Sequence, residues 1–190
     1  MLRITPNVIA LCLKDDRRAV AQLYEYCFHK LMPVCYRYHF NEEDARSSLN
    51  LGFMKILRGL QTVSTELNFD AWSKRIMINT LIDEYRKKKK HDEYYTTKET
   101  ERELELTVLT IENEANSNFG CSDIFELIGQ LPEISAKVFN LYVIDGYSHK
   151  EIGQLLNMSE GTSKWHLSTA RRTLREKLSE LENQNQRWVV

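Results

Sequence analysis

Glu160, Lys164, Ser168, Arg171 and Arg175 follow one another at intervals of four, four, three and four residues. On a helix that spacing sets them along one face. Their side chains carry two chemistries: Lys and Arg donate to phosphate oxygens, and Ser and Lys can also meet the donor and acceptor edges of bases. Thr162, Ser163, Trp165, His166, Thr169 and Arg172 flank the stripe. A second set, Arg75, Asn79, Asp83, Arg86 and Lys90, recurs at the same four, four, three and four. Asn79 is uncharged there, yet it both donates and accepts hydrogen bonds. Five consecutive cations, Arg86 to Lys90, close that set. A cation at a helix C-terminus contributes only about 0.3–1 kcal/mol, and five neighbours repel one another. A phosphate partner accounts for them better.

The first stripe lies within YSHKEIGQLLNMSEGTSKWHLSTARRTL, Tyr147 to Leu174. The pattern predicts two short helices and a three-residue turn. Ser148 is placed to cap the first, whose Ile152, Leu155 and Leu156 form one apolar stripe. Asn157 is a residue type that tolerates the left-handed backbone of a tight turn, with Met158 filling the corner. Ser159 caps the second helix, where Leu167, Ala170 and Leu174 face inward. Its capped start, Ser159 to Thr162, offers free N–H groups and a positive dipole end to a phosphate. Gly153 falls mid-helix, where Gly is about 1 kcal/mol worse than Ala. Close approach of the second helix is a physical reason for it. These features together describe a DNA-binding helix-turn-helix.

The second stripe belongs to a predicted helix from Phe69 to about Lys90, with Ile78, Leu81, Ile82 and Tyr85 packing inward. Trp72 on it is read as a core anchor, with a base-stacking platform as the alternative. Two helices precede it. Val20, Leu23, Tyr24, Cys27, Leu31, Val34, Cys35 and Tyr38 mark a long one interrupted near Pro33. Ala45, Leu49, Phe53, Ile56, Leu57 and Leu60 mark another, after the acidic start Glu42-Glu43-Asp44. Val63 to Asn68 reads as a loop. Further on, Ile124, Leu127, Ile128 and Leu131 predict a helix stopping at Pro132. Another is expected from Ser135 to Ile144, with Val138, Leu141 and Tyr142 inward. The expected fold is all-α, with two small helical domains at 1–90 and 121–190. A flexible acidic linker at 91–120 joins them, and the second domain ends in the helix-turn-helix.

Charge supports that division. The formal net charge is −1, but residues 1–90 hold 16 Lys+Arg against 10 Asp+Glu, a net of +6. Residues 91–120 hold 2 against 8, a net of −6, and residues 121–190 hold 8 against 9. A basic first domain is thus followed by an acidic connector. Only seven Gly and three Pro in 190 residues favour helices over an all-β design. No apolar run reaches the ~18 residues a membrane span needs, and VIALCL is too short for a signal core. The four cysteines show no C-x-x-C spacing, which with the lack of a signal points to a reducing cytoplasm. Cys27, His29, Cys35 and His39 crowd together, but Cys27 and Cys35 are better read as small core residues, and no metal or other cofactor is expected. No Ser/His/Asp order, phosphate-binding Gly-rich loop or metal pair is present, so neither an enzyme nor a small-molecule substrate is expected.

Two stretches, FDAWSKRIMINTLIDEYRKKKK (Phe69 to Lys90) and LPEISAKVFNLYVIDGYSHKEIGQLLNMSEGTSKWHLSTARR (Leu131 to Arg172), carry a family likeness. In their types and order the chain resembles the extracytoplasmic-function group of the bacterial sigma-70 family of RNA polymerase initiation factors. The likeness spans about Asp15 to Leu178, the first stretch resembling the end of sigma region two and the second region four. It implies core RNA polymerase, promoter DNA and an anti-sigma factor as partners. It implies that Arg75, Asn79, Asp83 and Arg86 line the path of a strand opened at the −10 element. Asn68 and Phe69 would then belong to a loop that receives an unstacked base. Separating each stacked step costs about 1.4 kcal/mol, which pockets and phosphate clamps must offset. For the −35 element it implies contacts from the capped start, Ser159, Glu160 and Thr162, and from Lys164, Trp165, His166, Ser168 and Thr169. Arg171 and Arg172 would hold phosphates. By the same likeness, polymerase contact would fall on Ser47, Asn50 and Leu51. Here the run Ser47-Ser48-Leu49-Asn50-Leu51 lacks both acidic residues usual in the family, Asn50 keeping an amide where Gln is common. That departure motivates an alternative, a sigma-like DNA-binding regulator that does not engage core polymerase. The acidic segment is expected to thread towards the RNA exit channel.

Overall fold

Caps decide where each helix of the first unit begins. The computed structural model describes residues 4–39, 41–62, 68–96 and 126–186, which fall in two compact units, Met1–Glu93 and Tyr94–Val190. Helix α1, Pro6–Cys12, starts on Thr5, whose hydroxyl accepts from the Val8 N–H at 3.4 Å. Asp15, at φ 56°, turns the chain into α2, Arg17–Tyr36, where Asp16 accepts from the Ala19 N–H at 2.8 Å. Asn41 opens α3, Glu42–Gly59, in the same way, accepting from the Asp44 N–H at 2.7 Å. A short 3-10 turn, Leu60–Thr62, follows. Asn68 then caps α4, Phe69–Thr96, accepting from the Ala71 N–H at 3.2 Å. Each Asx or Thr oxygen satisfies one of the orphan N–H groups of a helix start.

The inward faces of α2, α3 and α4 meet in one core. Leu23, Cys27, Leu31, Leu49, Ile56, Met77, Ile78 and Ile82 are all almost fully buried in it. Met77 lies across Gly52, so closely that a Cβ on Gly52 would meet its Sδ and Cε. Trp72 packs inward, its ring over Gly59, where an added Cβ would sit 2.8 Å from Cζ2. The anchor reading of Trp72 is therefore the structural one. Cys27 and Cys35 are buried in the core, and desolvation pushes both thiols up to about 12. His39 bonds Ser48 across 2.7 Å, and Ser48 in turn donates to Glu84. Among the described residues no group of three or more His, Cys, Asp or Glu side chains is placed to hold a metal ion.

Two boundaries differ from the sequence expectation. Pro33 lies inside α2 without ending it. It removes one backbone hydrogen bond, but buried Leu31, Met32, Val34 and Cys35 hold the final turns against the core. Helix α4 runs to Thr96, beyond the expected end at Lys90, so the first residues of the expected linker are helical. No Gly or Pro occurs between Phe69 and Thr96 to stop it. The rest of that linker, Ile124 and the loop at 63–67 lie outside the described residues.

In the second unit, residues 126–129 are helical (α5), and Leu127, Ile128 and Leu131 are buried. Helix α6, Glu133–Phe139, continues as one π-helical turn, Asn140–Ile144, closed by the Asp145 N–H donating to the Asn140 carbonyl at 2.9 Å. Helix α7 is His149–Leu156 and α8 is Glu160–Gln186. Ile128, Leu131, Ala136 and Ala170 form a buried cluster, with Phe139, Ile144 and Leu174 packed on it. Val138 and Leu141 face inward as expected. Tyr142 does not. Within the π turn Asn140 and Leu141 are buried, whereas Tyr142 is 36% exposed. The described residues contain no strand and no helix long and apolar enough to cross a membrane.

Candidate nucleic-acid interface

Four local features fix the start of α7, the turn after it and the start of α8. Ser148 and Glu151 form a reciprocal capping box, the Ser148 N–H donating to Glu151 Oε2 at 2.8 Å. Asn157 adopts the left-handed conformation at φ 53° and ψ 53°. The Met158 N–H then donates back to the Gly153 carbonyl at 2.9 Å. Ser159 Oγ accepts from the Thr162 N–H at 3.0 Å and starts α8. Gly153 is required for a reason slightly different from the one its position implied. A Cβ there would lie 2.7 Å from the Met158 carbonyl oxygen, so the turn's own backbone is what approaches, ahead of the second helix.

The outer face of α8 emerges as the spacing predicted. Ser159, Glu160, Thr162, Lys164, Ser168, Arg171, Arg172 and Arg175 are exposed, and Thr169 is half-buried. Trp165, 61% exposed, is the most exposed large apolar side chain among the described residues. Lys164 Nζ lies 2.7 Å from Glu160 Oε1, and this hydrogen-bonded pairing holds the Glu160 carboxyl below its ordinary range. Two flanking residues turn inward. Ser163 is fully buried, its Oγ 2.9 Å from His149 Nδ1, and so ties α8 to α7. His166 is half-buried, with Nδ1 3.0 Å from Ser135 Oγ on α6, and burial pushes its pKa down. One edge of the ring expected to meet DNA is thus committed to packing.

A side chain that the sequence placed inward joins this face. Tyr142 stacks on His149 with ring centroids 4.4 Å apart and planes 21° from parallel. The Arg171 guanidinium carbon lies 6.0 Å from the centroid of the same Tyr142 ring. Tyr142 follows buried Val138 by four residues, so nothing in the hydrophobic pattern marked it as outward.

On α4 the second stripe is likewise outside: Arg75, Asn79, Arg86 and Lys90 are exposed. Asp83 is half-buried and pairs with Lys55 of α3 at 3.3 Å. Asn68 is engaged as the cap of α4. Phe69 is the first residue of α4, where the periodicity predicted the helix to start, and so lies outside the loop that the resemblance implied. Its ring packs 6.2 Å from Tyr26 and 5.7 Å from Trp72, because an apolar side chain at a helix start gains more from that aromatic cluster than from water. On α3, Ser47, Asn50 and Leu51 are exposed, with Asn50 Oδ1 accepting from the Tyr24 hydroxyl at 2.9 Å. Met54, 49% exposed and one turn beyond Asn50, extends that surface with an apolar side chain.

Comparison with known proteins agrees with this division. The family described as Sigma-70 region 2 matches residues 23–91, and that described as Sigma-70, region 4 matches residues 122–174. The ECF RNA polymerase sigma factor SigW of Bacillus subtilis is 29% identical over 176 residues, covering 88% of this chain and 93% of the relative. The RNA polymerase sigma factor SigZ of the same organism is 28% identical over 155 residues, covering 80% and 82%. The fold is shared with the sigma factor RpoE of Bartonella quintana, solved with the anti-sigma factor NepR, at a TM-score of 0.53 and 17% identity. That likeness covers 84% of this chain and 96% of the other. With region two on the α2–α4 core, region four on the helix-turn-helix, and relatives matched over most of their length, the chain belongs to the sigma-70 family of RNA polymerase initiation factors, in its extracytoplasmic-function group.

Proposed function

We propose that this sigma factor directs promoter-specific initiation through two faces with separate tasks. The α8 face reads the −35 element in the major groove, with Ser159, Glu160, Thr162, Lys164, Trp165, Ser168 and Thr169 at bases and adjacent backbone. Arg171 and Arg172 take phosphates, and His166 supports the face from beneath. The α4 face, with Arg75, Asn79, Asp83 and Arg86, guides the strand released at the −10 element, and Asn68 borders the pocket for an unstacked base. The chain works by binding and strand capture, in the cytoplasm where polymerase and promoter DNA are found.

One observation carries this reading: α8 presents an exposed polar and basic face directly after a rigid left-handed turn, with its apolar stripe buried behind it. A helix so held can enter a groove as a unit without reorganising. Core polymerase docks on α3 at Ser47, Asn50 and Leu51, where the apolar exposure of Leu51 and Met54 takes over from the missing carboxylates. An anti-sigma factor, such as the one bound to the Bartonella quintana protein, is proposed as the negative regulator. The test is in vitro transcription with core polymerase over a library of genomic promoter fragments. A shared −35 and −10 pair among the initiated fragments supports the proposal. Initiation indistinguishable from core alone overturns it, and failure to retain core polymerase in a pull-down favours the DNA-binding regulator instead.

A further inference from the structure

Arg171 lies at the end of a chain of contacts that crosses three elements. Ser163, fully buried on α8, lies 2.9 Å from Nδ1 of His149, the first residue of α7. His149 carries Tyr142 in a near-parallel stack at 4.4 Å, and Tyr142 carries the Arg171 guanidinium at 6.0 Å. Tyr142 lies within the π turn Asn140–Ile144 and is 36% exposed. A free Arg on a helix surface samples many rotamers, and ordering it on binding costs part of the energy its contact supplies. An aromatic face beneath the guanidinium reduces that freedom while leaving its N–H edge open to an anion.

We infer that Tyr142 is a positioning residue for DNA binding: held by His149, it presents the Arg171 guanidinium to a backbone phosphate beside the −35 element. This deepens the reading of the α8 face and rests on it. Tyr142 touches no base and confers no sequence preference. It raises the affinity of the docked helix for any sequence that brings a phosphate to Arg171. Charge alone does not reproduce the arrangement, because a Lys ammonium lacks the planar surface that stacks on the ring.

The test uses holoenzyme reconstituted from core polymerase and the full chain, on a promoter fragment found by the transcription assay, with affinity measured over a range of salt. Arg171→Ala is expected to lower the salt slope by about one, as the loss of a phosphate contact does. Tyr142→Leu is expected to weaken binding about two- to fivefold, the range of an exposed cation–π contact. Tyr142→Phe keeps the ring and should bind as the unaltered chain does. The deciding result is the pair. In an Arg171→Ala background Tyr142→Leu should add no further loss, whereas a merely structural Tyr142 would weaken both backgrounds equally. Arg171→Lys should cost more affinity beside Tyr142 than beside Leu. Equal losses in the two backgrounds overturn the inference while leaving the α8 reading intact. An unchanged slope in Arg171→Ala overturns the phosphate contact, and the inference with it.

Discussion

Lys164 is the residue on which the −35 reading is most exposed to test. It stands on the outer face of α8 and, in the free chain, is paired with Glu160 one turn away. On the proposed reading it exchanges that partner in the groove for a base edge or a phosphate, and the two outcomes separate cleanly. Lys164→Ala is expected to cost about 1–3 kcal/mol at the preferred −35 sequence and much less at unrelated ones, if a base is read. Competition binding against substituted −35 fragments makes the measurement, and uniform weakening would assign Lys164 to the backbone. His166 supports a second prediction, on stability. Burial holds its folded pKa below the ordinary 6.5, so the folded chain resists a proton that the unfolded chain accepts. The stability tied to the neutral ring is complete above about 6.5 and is lost as pH falls through the folded value. Thermal unfolding at about pH 7.5 and about pH 5 should therefore show a larger drop for the native chain than for His166→Gln. Equal drops would remove His166 as a source of acid sensitivity.

At the scale of elements, the helix-turn-helix is rigid because backbone meets backbone. Gly153→Ala forces a Cβ to within 2.7 Å of the Met158 carbonyl, and neither atom can swing aside. A loss of about 1–3 kcal/mol is expected, enough to outweigh the ~1 kcal/mol that Ala normally gains over Gly in a helix. Gly52→Ala is the control. Its Cβ also finds a close neighbour, but that neighbour is the far end of the flexible Met77 side chain. The relief available there should keep the change within about 1 kcal/mol of neutral. Denaturant unfolding of both variants decides the matter, and a Gly153→Ala chain as stable as the native one would mean that the turn yields. The same logic explains Pro33. A missing hydrogen bond near the end of α2 is tolerated where four buried side chains already hold the turn.

At the scale of the molecule, two faces on two units act on one promoter. Asn79 on α4 and Lys164 on α8 belong to different compact units, so their losses should be independent. Asn79→Ala should impair strand opening more than duplex binding, read from permanganate reactivity of thymines near the −10 element. Lys164→Ala should do the reverse. Transcript yield from the double variant is expected near the product of the two single effects. A double variant no worse than either single one would mean that the faces serve the same step. The segregation of charge fits this division, with a net of +6 over residues 1–90 and −6 over residues 91–120.

What the sequence determined by itself was everything that local chemistry and a regular period can specify. Ser148, Asn157 and Ser159 announced the turn, because caps and left-handed residues act over three or four positions. The stripes on α4 and α8 were legible because surface residues of an uninterrupted helix keep a 3.6-residue rhythm. The tertiary structure alone decided which polar residues are committed inward. Ser163 and His166 lie beside the readout face by spacing, yet each meets a partner on another helix. Phe69 joined a helix-start aromatic cluster whose other members come from distant parts of the chain or a later turn. Tyr142, inward by its spacing from Val138, is 36% exposed and stacks on His149 of α7. Contacts between residues far apart in sequence leave no periodic trace, and those contacts set how firmly the legible face is held.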